Sequence, residues 1–424
     1  MTGHLTGSAG LLAHRTVCEA AIRASSQSGS ISPARLTQLR RELGAELAAF
    51  VVTQLNLQHR ASKKLQPTSA PTRVWWCTDR SLQQATPWQV AKLKANWFGE
   101  SPAYDLCCGI GGDANHLAAR GPLVAVDADP LVAELAAMNL GTNRVGDSSS
   151  AIDPATELTA HERSVRCADV TSISVPPQHL IHIDPDRRPG SKRTSRPDHY
   201  QPSWEFVVRL LRQQAGAVVK LAPAAHPELE ECPAAHRCWI SLVGSVREQT
   251  MLTGETLQHA GFVPHGRSAV IIRSQGDADR FHVGEGGEVA SIECSDKPLD
   301  WLVDPDAAIR AAGLTEAFGE ANGMSLIGRP SGFLTCTDQP DTRGLAQCSA
   351  VIWAGSCDDR KLRRELRQRN AYPEVVKVRG TDHQPETLQR KYRKCGETPV
   401  QLWIGRGRDR VFAALTERQH IPIT

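Results

Sequence analysis

The chain has 424 residues, of which 40% are hydrophobic and 22% are charged, and its formal net charge is +3. This length and composition predict two to four folded domains and exclude wholesale disorder, a collagen and a coiled coil. No run of about 18 apolar residues occurs, and the first residues lack the basic and apolar segments of a signal peptide. We therefore expect no membrane partner and a cytoplasmic location.

The 12 cysteines include no pair with C-x-x-C spacing. Structural zinc sites usually contain such pairs, so we expect no metal. A chain of this size does not need disulfides, and reduced, mostly buried thiols are expected.

Residues 1–97 are predicted to form an N-terminal helical region. Apolar residues recur at 36, 39, 43, 47 and 50, which is a helical spacing, and Ser32 with Pro33 is typical of a helix start. A further helical stretch at 82–98 is expected to be interrupted near Pro87.

Residues 98–275 are predicted to form a parallel sheet that helices cover on both faces. Five short apolar runs (AYDLCC, GPLVAVDAD, SVRCADV, HLIHIDPD and GAVVKLAP) alternate with helical segments at 112–120, 131–140 and 204–214. The last strands of this region are expected to pair antiparallel.

Residues 276–348 are a predicted connecting segment. Residues 349–424 are a predicted small α+β module. In it, Pro385 opens a helix that Gly396 closes as the C′ residue, and a hairpin turns around Gly405 to Arg408. The predicted fold class is therefore α/β.

The most informative motif is the glycine-rich run Asp105-Leu-Cys-Cys-Gly109-Ile-Gly111-Gly-Asp-Ala114 between the first strand and a helix. Glycines there let the backbone approach a ligand and point helix N–H groups at it. Gly109, Gly111 and Ala114 match a dinucleotide fingerprint. Asp105 favours S-adenosylmethionine instead, because that cofactor has no pyrophosphate and its cationic end needs a carboxylate partner.

Two further aspartates follow predicted strands. Asp127 ends the second strand, where a carboxylate can bind both ribose hydroxyls. Alternatively, Asp127 or Asp129 could be the N-cap of the next helix. Asp129 is the better candidate for the cap, because Pro130 follows it. Side chains alternate in direction along a strand, so Asp127 points away from the cap position. Asp169, after the third strand, is expected to reach the adenine ring.

The fourth strand ends in the loop Asp184-Pro185-Asp186-Arg187-Arg188. Such a loop at the carboxyl end of a central strand lies beside the cofactor position. Asp184 and Asp186 are candidate catalytic proton acceptors, and Arg187 and Arg188 are candidate phosphate ligands. The alternative is a turn whose charges are solvated or paired with one another.

Together, DLCCGIGGDA, VAVDADP and DPDRR resemble bacterial class I S-adenosylmethionine-dependent methyltransferases that carry a C-terminal THUMP-like domain. The methyltransferase part is distantly similar to the RNA cap trimethylguanosine synthases. Segments at 63–86, 301–314 and 375–406 extend the resemblance over nearly the whole chain.

The resemblance implies a Rossmann-like methyltransferase sheet and an RNA-binding tail. It places Asp105, Gly109 and Gly111 at the cofactor, Asp127 at its ribose and Asp184 in the catalytic loop. Amino-directed nucleic-acid methyltransferases have two prolines and then an aromatic residue in this loop. Here Asp186 and Arg187 occupy the last two positions, so the aromatic residue that stacks on a flipped base is missing.

The tail is strongly basic. From Arg360 to Arg410 there are 15 Lys or Arg and 6 Asp or Glu, which gives +9 and leaves 3 − 9 = −6 for the other residues. Arg390, Arg393 and Lys394 are expected to share one helix face, with Lys391 off it. This pattern predicts a polyanionic partner, RNA, although a solvated helix face would look the same.

The sequence therefore predicts an RNA methyltransferase that uses S-adenosylmethionine. The alternatives are a non-catalytic RNA-binding protein with a degenerate methyltransferase fold and a methyltransferase of a protein or small molecule. An NAD-dependent oxidoreductase is disfavoured, because Asp105 and the DPDRR loop would have no role in it.

Overall fold

A computed structural model describes residues 11–26, 31–146, 162–187, 194–230, 232, 234–284, 292–329 and 332–417. The chain divides into two compact units. The first comprises Met1–His236 and Gln249–Pro264, and the second comprises Arg237–Glu248 and His265–Thr424.

The first unit begins with helices, as predicted. They are α1 (Arg15–Ser26), α2 (Pro33–Leu43), α3 (Ala45–Leu65), α4 (Asp79–Gln84) and α5 (Trp88–Ala95). Ser32 caps α2, since its hydroxyl accepts a hydrogen bond from the Arg35 N–H at 3.2 Å. The expected interruption at Pro87 is confirmed, because Pro87 is the N-cap residue of α5.

The alternating strands and helices follow. They are β1 (Ala103–Leu106), α6 (Gly112–Leu117), β2 (Leu123–Asp127), α7 (Pro130–Leu140), β3 (Val145–Gly146), β4 (Arg163–Cys167), β5 (Leu180–Ile183), α8 (Trp204–Gln213), β6 (Gly216–Leu221), β7 (His236–Leu242), β8 (Ser245–Thr253) and α9 (Gly254–Ala260). Of these, β7 from Arg237 onward and β8 up to Glu248 belong to the second unit. Within the first unit the strand order is β3-β4-β2-β1-β5-β6-β8. β8 is antiparallel to β6, and the others run parallel. The five predicted strands and the antiparallel end of the sheet are confirmed.

The sheet has its switch point at β1. This strand lies between β2 and β5, so the chain leaves it towards opposite edges of the sheet. In such sheets ligands bind outside the carboxyl ends of the strands at this point. Asp105 is the register partner of Ala125 on β2 and of His182 on β5.

The second unit contains the remaining elements. They are β9 (Arg267–Ile272), β10 (Ala278–Val283), β11 (Cys294–Ser295), β12 (Trp301–Pro305), α10 (Ala307–Ala311), α11 (Thr315–Ala321), β13 (Ser325–Ile327), β14 (Leu334–Cys336), β15 (Ala346–Ser356), α12 (Asp359–Gln368), β16 (Ala371–Arg379), α13 (Pro385–Tyr392), β17 (Thr398–Arg406) and β18 (Val411–Thr416). β7 pairs parallel with β9, which pairs antiparallel with β10. An eight-stranded sheet has the order β11-β13-β14-β12-β15-β18-β17-β16, so the strands of the tail continue the sheet of the preceding segment.

The predicted hairpin is confirmed, because β17 and β18 pair antiparallel. The predicted role of Gly396 is wrong. Helix α13 ends at Tyr392, a 3₁₀ turn covers Arg393–Cys395, and Gly396 has an extended backbone with φ −178°. Glycine is needed there because a Cβ would lie 2.0 Å from the Asn370 carbonyl carbon.

The predicted α/β fold class is confirmed. No helix in the described ranges is both long and apolar enough to cross a bilayer.

Candidate functional site

The carboxyl edge of β1 brings the predicted aspartates together. Cys107, the first residue after β1, has a left-handed backbone with φ +59°. Burial raises the pKa of its thiol well above the usual value, and the surrounding carboxylates of Asp127, Asp184, Asp105 and Asp169 raise it further. Asp105 and Asp127 lie at the carboxyl ends of β1 and β2, and Asp184 and Asp169 follow β5 and β4. The structure therefore places them around one point at the switch of the sheet.

The glycine-rich loop is open on one side. Gly109 has φ +57°, and a Cβ on it would meet no atom within 4 Å. Gly111 has φ +79°, but a Cβ there would pack on Asn115, Ala114 and Leu140 at 3.5–3.8 Å. Gly109 is therefore the position where a ligand could approach the backbone, whereas Gly111 faces the neighbouring helices.

Asp127 anchors this loop. Its two carboxylate oxygens accept hydrogen bonds from the Gly109 N–H at 2.9 Å and the Asp129 N–H at 3.0 Å. Burial raises its pKa, and the two backbone bonds partly offset that effect. Asp129 caps α7 by accepting from the N–H groups of Leu131 and Val132. The two aspartates thus divide their roles, and each Asp127 oxygen keeps a lone pair for a further hydrogen bond.

Asp169 is exposed and caps a short 3₁₀ turn at Val170–Ser172. Its Oδ1 accepts from the Thr171 N–H at 2.8 Å and from the Thr171 hydroxyl at 2.7 Å. These bonds lower its pKa. It lies two residues after β4, and one of its oxygens already caps the turn; its contact with adenine stays a prediction.

Asp105 is only 1% exposed and lies against His182, its register partner on β5. The Asp105 Oδ1 is 2.7 Å from the His182 Nδ1, and the His182 Nε2 is 3.1 Å from the Lys94 Nζ. Because an ammonium group can only donate, both contacts are satisfied by a neutral imidazole with its proton on Nδ1. Burial raises the Asp105 pKa, and its Oδ2 has no hydrogen-bond partner among the described residues.

Lys94 continues this arrangement from the N-terminal helices. Its side chain is 1% exposed, and its Nζ forms an ion pair at 2.9 Å with Oδ1 of Asp113, in the first turn of α6. The other Asp113 oxygen accepts from the Thr86 hydroxyl at 2.6 Å. Burial alone would raise the Asp113 pKa, but the ammonium groups of Lys94 and Lys220 outweigh it and keep this pKa below its ordinary value.

Lys220 on β6 completes the series. Its Nζ donates to the Thr86 hydroxyl at 3.0 Å and to the Asp184 Oδ2 at 2.6 Å. Val219 pairs with Ile183, so Lys220 and Asp184 follow at neighbouring positions of adjacent parallel strands. We call the whole series the buried ionic chain; its members, in order of contact, are Asp105, His182, Lys94, Asp113, Thr86, Lys220 and Asp184.

Five members of this chain were not predicted from the sequence: Thr86, Lys94, Asp113, His182 and Lys220. Lys220 offered a signal, because it is the one charged residue in the apolar run GAVVKLAP. A lysine in a fully buried strand needs a buried partner. Thr86 and Lys94 lie outside the predicted methyltransferase sheet, and nothing in their local pattern sets them apart.

The loop after β5 is held at several points. The Asp184 N–H donates to the Leu106 carbonyl at 3.2 Å, and its side chain stays 26% exposed. Asp186 exchanges two backbone hydrogen bonds with Gln201, at 2.7 and 3.1 Å. In Arg187, the buried Nη1 atom has no hydrogen-bond partner in the described part of the chain. Arg188, the second predicted phosphate ligand, lies outside the described residues.

The basic residues of the second unit lie on two helices that contact each other. Asp359, in the first turn of α12, accepts from the Tyr392 hydroxyl of α13 and pairs with the Lys391 Nζ, each at 2.9 Å. Arg363 pairs with the same carboxylate at 3.3 Å. Lys391 therefore turns towards α12, as its predicted place off the basic face requires.

The three predicted RNA ligands of this region, Arg390, Arg393 and Lys394, are all exposed. Arg390 lies in α13, and the other two lie in the 3₁₀ turn that follows it. The Arg393 guanidinium stacks on Tyr372, with its central carbon 4.0 Å from the ring centroid. No cluster of metal-ligating side chains occurs in the described ranges.

Comparison with known proteins agrees with this architecture. No family model matches the chain. Two Mycobacterium tuberculosis strains contain an uncharacterised S-adenosylmethionine-dependent methyltransferase that is 28% identical over 388 residues, which covers 87% of this chain and 95% of the relative. A crystal structure from Porphyromonas gingivalis, provisionally described as a methyltransferase, matches with a TM-score of 0.73 and 17% identity, covering 96% of this chain and 98% of that one. The chain is therefore similar over most of its length to S-adenosylmethionine-dependent methyltransferases, and it shares the fold of the Porphyromonas gingivalis structure.

Proposed function

We propose that this chain is an S-adenosylmethionine-dependent methyltransferase and that it acts on RNA in the cytoplasm. The methyl donor would bind at the carboxyl edge of β1, β2 and β5 in the first unit, and RNA would bind to α12, α13 and the turn after them in the second. The observation that carries the RNA assignment is the contact between the two basic helices through Asp359, which leaves Arg390, Arg393 and Lys394 exposed.

The residues at the sheet edge fit S-adenosylmethionine. Gly109 leaves open space beside the backbone, and Asp127 keeps acceptor capacity for two ribose hydroxyls. Asp105 has a buried oxygen with no partner in the described ranges, which suits the cationic end of the cofactor. Gly111 would shape the loop from behind, and Asp169 would lie near the adenine. The bound cofactor supplies an electrophilic methyl group on a sulfonium sulfur.

The loop after β5 would serve the acceptor. Methyl transfer requires an acceptor atom held in line with the methyl group, and little covalent help from the protein. Asp184 is partly exposed, and we infer that Asp184 or Asp186 accepts the proton that the acceptor loses. Arg187, with Arg188 next to it in the sequence, would hold a phosphate of the RNA.

Charge and resemblance support RNA as the polyanion. Residues 360–410 carry +9, whereas the other residues sum to −6. The similarity of the tail to THUMP-like domains, and of the sheet to cap trimethylguanosine synthases, points the same way.

Transfer of a radioactive methyl group to RNA tests the proposed function. The purified chain is incubated with S-adenosylmethionine tritiated on its methyl group and with bulk bacterial RNA. We expect acid-precipitable label that ribonuclease releases and protease does not, and a loss of label with Asp184→Ala. Label that only protease releases would instead show a protein methyltransferase. Cofactor and RNA binding without transfer would show the non-catalytic alternative.

A further inference from the structure

The buried ionic chain links the glycine-rich loop to the acceptor loop. It runs from Asp105 after the first strand to Asp184 after the fifth, and each link is at most 3.1 Å long. The middle of the chain comes from outside the central strands, because Thr86 precedes α5 and Lys94 lies in it.

The charges of this chain do not cancel. Asp105, Asp113 and Asp184 are three carboxylates, Lys94 and Lys220 are two ammonium groups, and the contacts of His182 require a neutral ring. The ammonium groups are committed in pairs, Lys94 with Asp113 and Lys220 with Asp184. Asp184 therefore faces the acceptor side as one half of an ion pair.

We propose that Lys220 is a positioning residue that neutralises Asp184 and holds it in one orientation beside the methyl group of the cofactor. This inference rests on the proposed function of Asp184. Thr86 holds Lys220 in place. Its hydroxyl accepts a hydrogen bond from the Lys220 Nζ and donates one to Asp113. The N-terminal region thus supplies part of the reaction centre.

The physical reason lies in the charge of the two cofactor forms. S-adenosylmethionine carries a sulfonium charge that disappears when the methyl group leaves, so S-adenosylhomocysteine is neutral at sulfur. A free carboxylate beside the sulfur would stabilise the bound substrate more than the transition state, and would slow transfer. An aspartate paired with a lysine still offers oxygen acceptors but adds little net charge. Lys220 is suited to this task because its side chain is only 5% exposed and its Nζ lies 2.6 Å from the carboxylate.

Isothermal titration with the two cofactor forms tests this inference without an acceptor. The quantity is the ratio of the S-adenosylhomocysteine dissociation constant to that of S-adenosylmethionine, measured at mildly alkaline pH. Lys220→Met should raise this ratio by about threefold to tenfold, the range for one unscreened charge in a partly buried site. Lys92→Met, which removes an exposed lysine of α5, is the matched control and should leave the ratio unchanged.

The same substitution in a chain that also lacks the Asp184 charge identifies the carboxylate that Lys220 neutralises. In an Asp184→Asn chain, Lys220→Met should no longer change the ratio, because the charge that Lys220 neutralises is already gone. Lys220→Gln keeps an N–H donor without the charge and covers the case in which Lys220→Met does not fold; it should also raise the ratio. An unchanged ratio in both Lys220 variants, or an equal change with and without Asp184, would overturn the inference and leave the proposed function intact. Failure of the unaltered chain to bind either cofactor would overturn both.

Discussion

The sheet edge of the first unit and the basic helices of the second use charged residues in opposite ways. At the sheet edge, the lysines are buried and joined through shared partners; the side chains of Lys94 and Lys220 are 1% and 5% exposed. On α12 and α13 the charges lie at the surface, with Lys391 39% and Arg364 63% exposed. Buried charges need partners to offset their lost hydration, whereas exposed pairs contribute little to stability.

This difference agrees with the roles that we propose for the two regions. A buried chain holds its members in fixed positions and excludes water, which suits groups that must be aligned with a small cofactor. Exposed arginines and lysines remain available to a large anion and can follow its shape. The two regions therefore differ in the expected cost of a substitution, and that contrast can be tested directly.

The largest effect should come from Lys94→Met. It removes the cation of a buried pair and leaves Asp113 and His182 without their shared partner. We expect a loss of about 3–5 kcal/mol in the free energy of unfolding, the usual cost of breaking such a pair on one side. Urea denaturation measures this free energy of unfolding. The matched change Lys92→Met, at an exposed position of the same helix, should cost less than about 0.5 kcal/mol. Similar small costs for both variants would refute the buried ionic chain as a stabilising element.

A smaller effect is expected from Asp127→Ala, measured as S-adenosylmethionine affinity. Loss of hydrogen bonds from a charged acceptor should weaken binding by about 1.5–3 kcal/mol. Burial raises the Asp127 pKa, so this carboxylate gains a proton at a higher pH than an exposed aspartate would. Affinity of the unaltered chain should therefore fall as the pH is lowered through that raised value. Titrations at several pH values check whether the variant loses this part of the dependence; the same affinity in both proteins would rule out the ribose contact.

The smallest effect at the sheet edge should come from Asp169→Asn. This change keeps an oxygen that can cap the 3₁₀ turn and removes only the charge of an exposed side chain. S-adenosylmethionine affinity should change by less than about 1 kcal/mol, as expected for an exposed charge. A loss as large as that of Asp127→Ala would mean that Asp169 is a principal cofactor ligand.

The sequence predicted the parts of the first unit that depend on local pattern. Strands β1, β2, β4, β5 and β6 follow from short apolar runs, and the separate roles of Asp127 and Asp129 follow from strand alternation and from Pro130. These features need only neighbours in the chain, which a single sequence displays.

The buried ionic chain could not be predicted in this way. The Asp105–His182 contact depends on the register of two strands 77 residues apart, and the Lys220–Thr86 contact joins positions 134 residues apart. The prediction for Gly396 was wrong for a related reason. The need for glycine at this position comes from the close approach of Asn370 and not from the helix before it. Long-range packing sets all three, and no local pattern reports it.

The proposal of an RNA substrate depends most on RNA binding by the exposed charges of the second unit. Filter binding of bulk RNA over a range of salt concentrations tests it, with the unaltered chain compared with a triple change of Arg390, Arg393 and Lys394 to Gln. Each lost phosphate contact should flatten the slope of log affinity against log salt by about 0.7–0.9 units, so the triple variant should lose about two units. Its S-adenosylmethionine affinity should not change, because the cofactor residues lie in the first unit. An unchanged slope and unchanged RNA affinity at low salt would contradict the account and leave these residues as a solvated helix face.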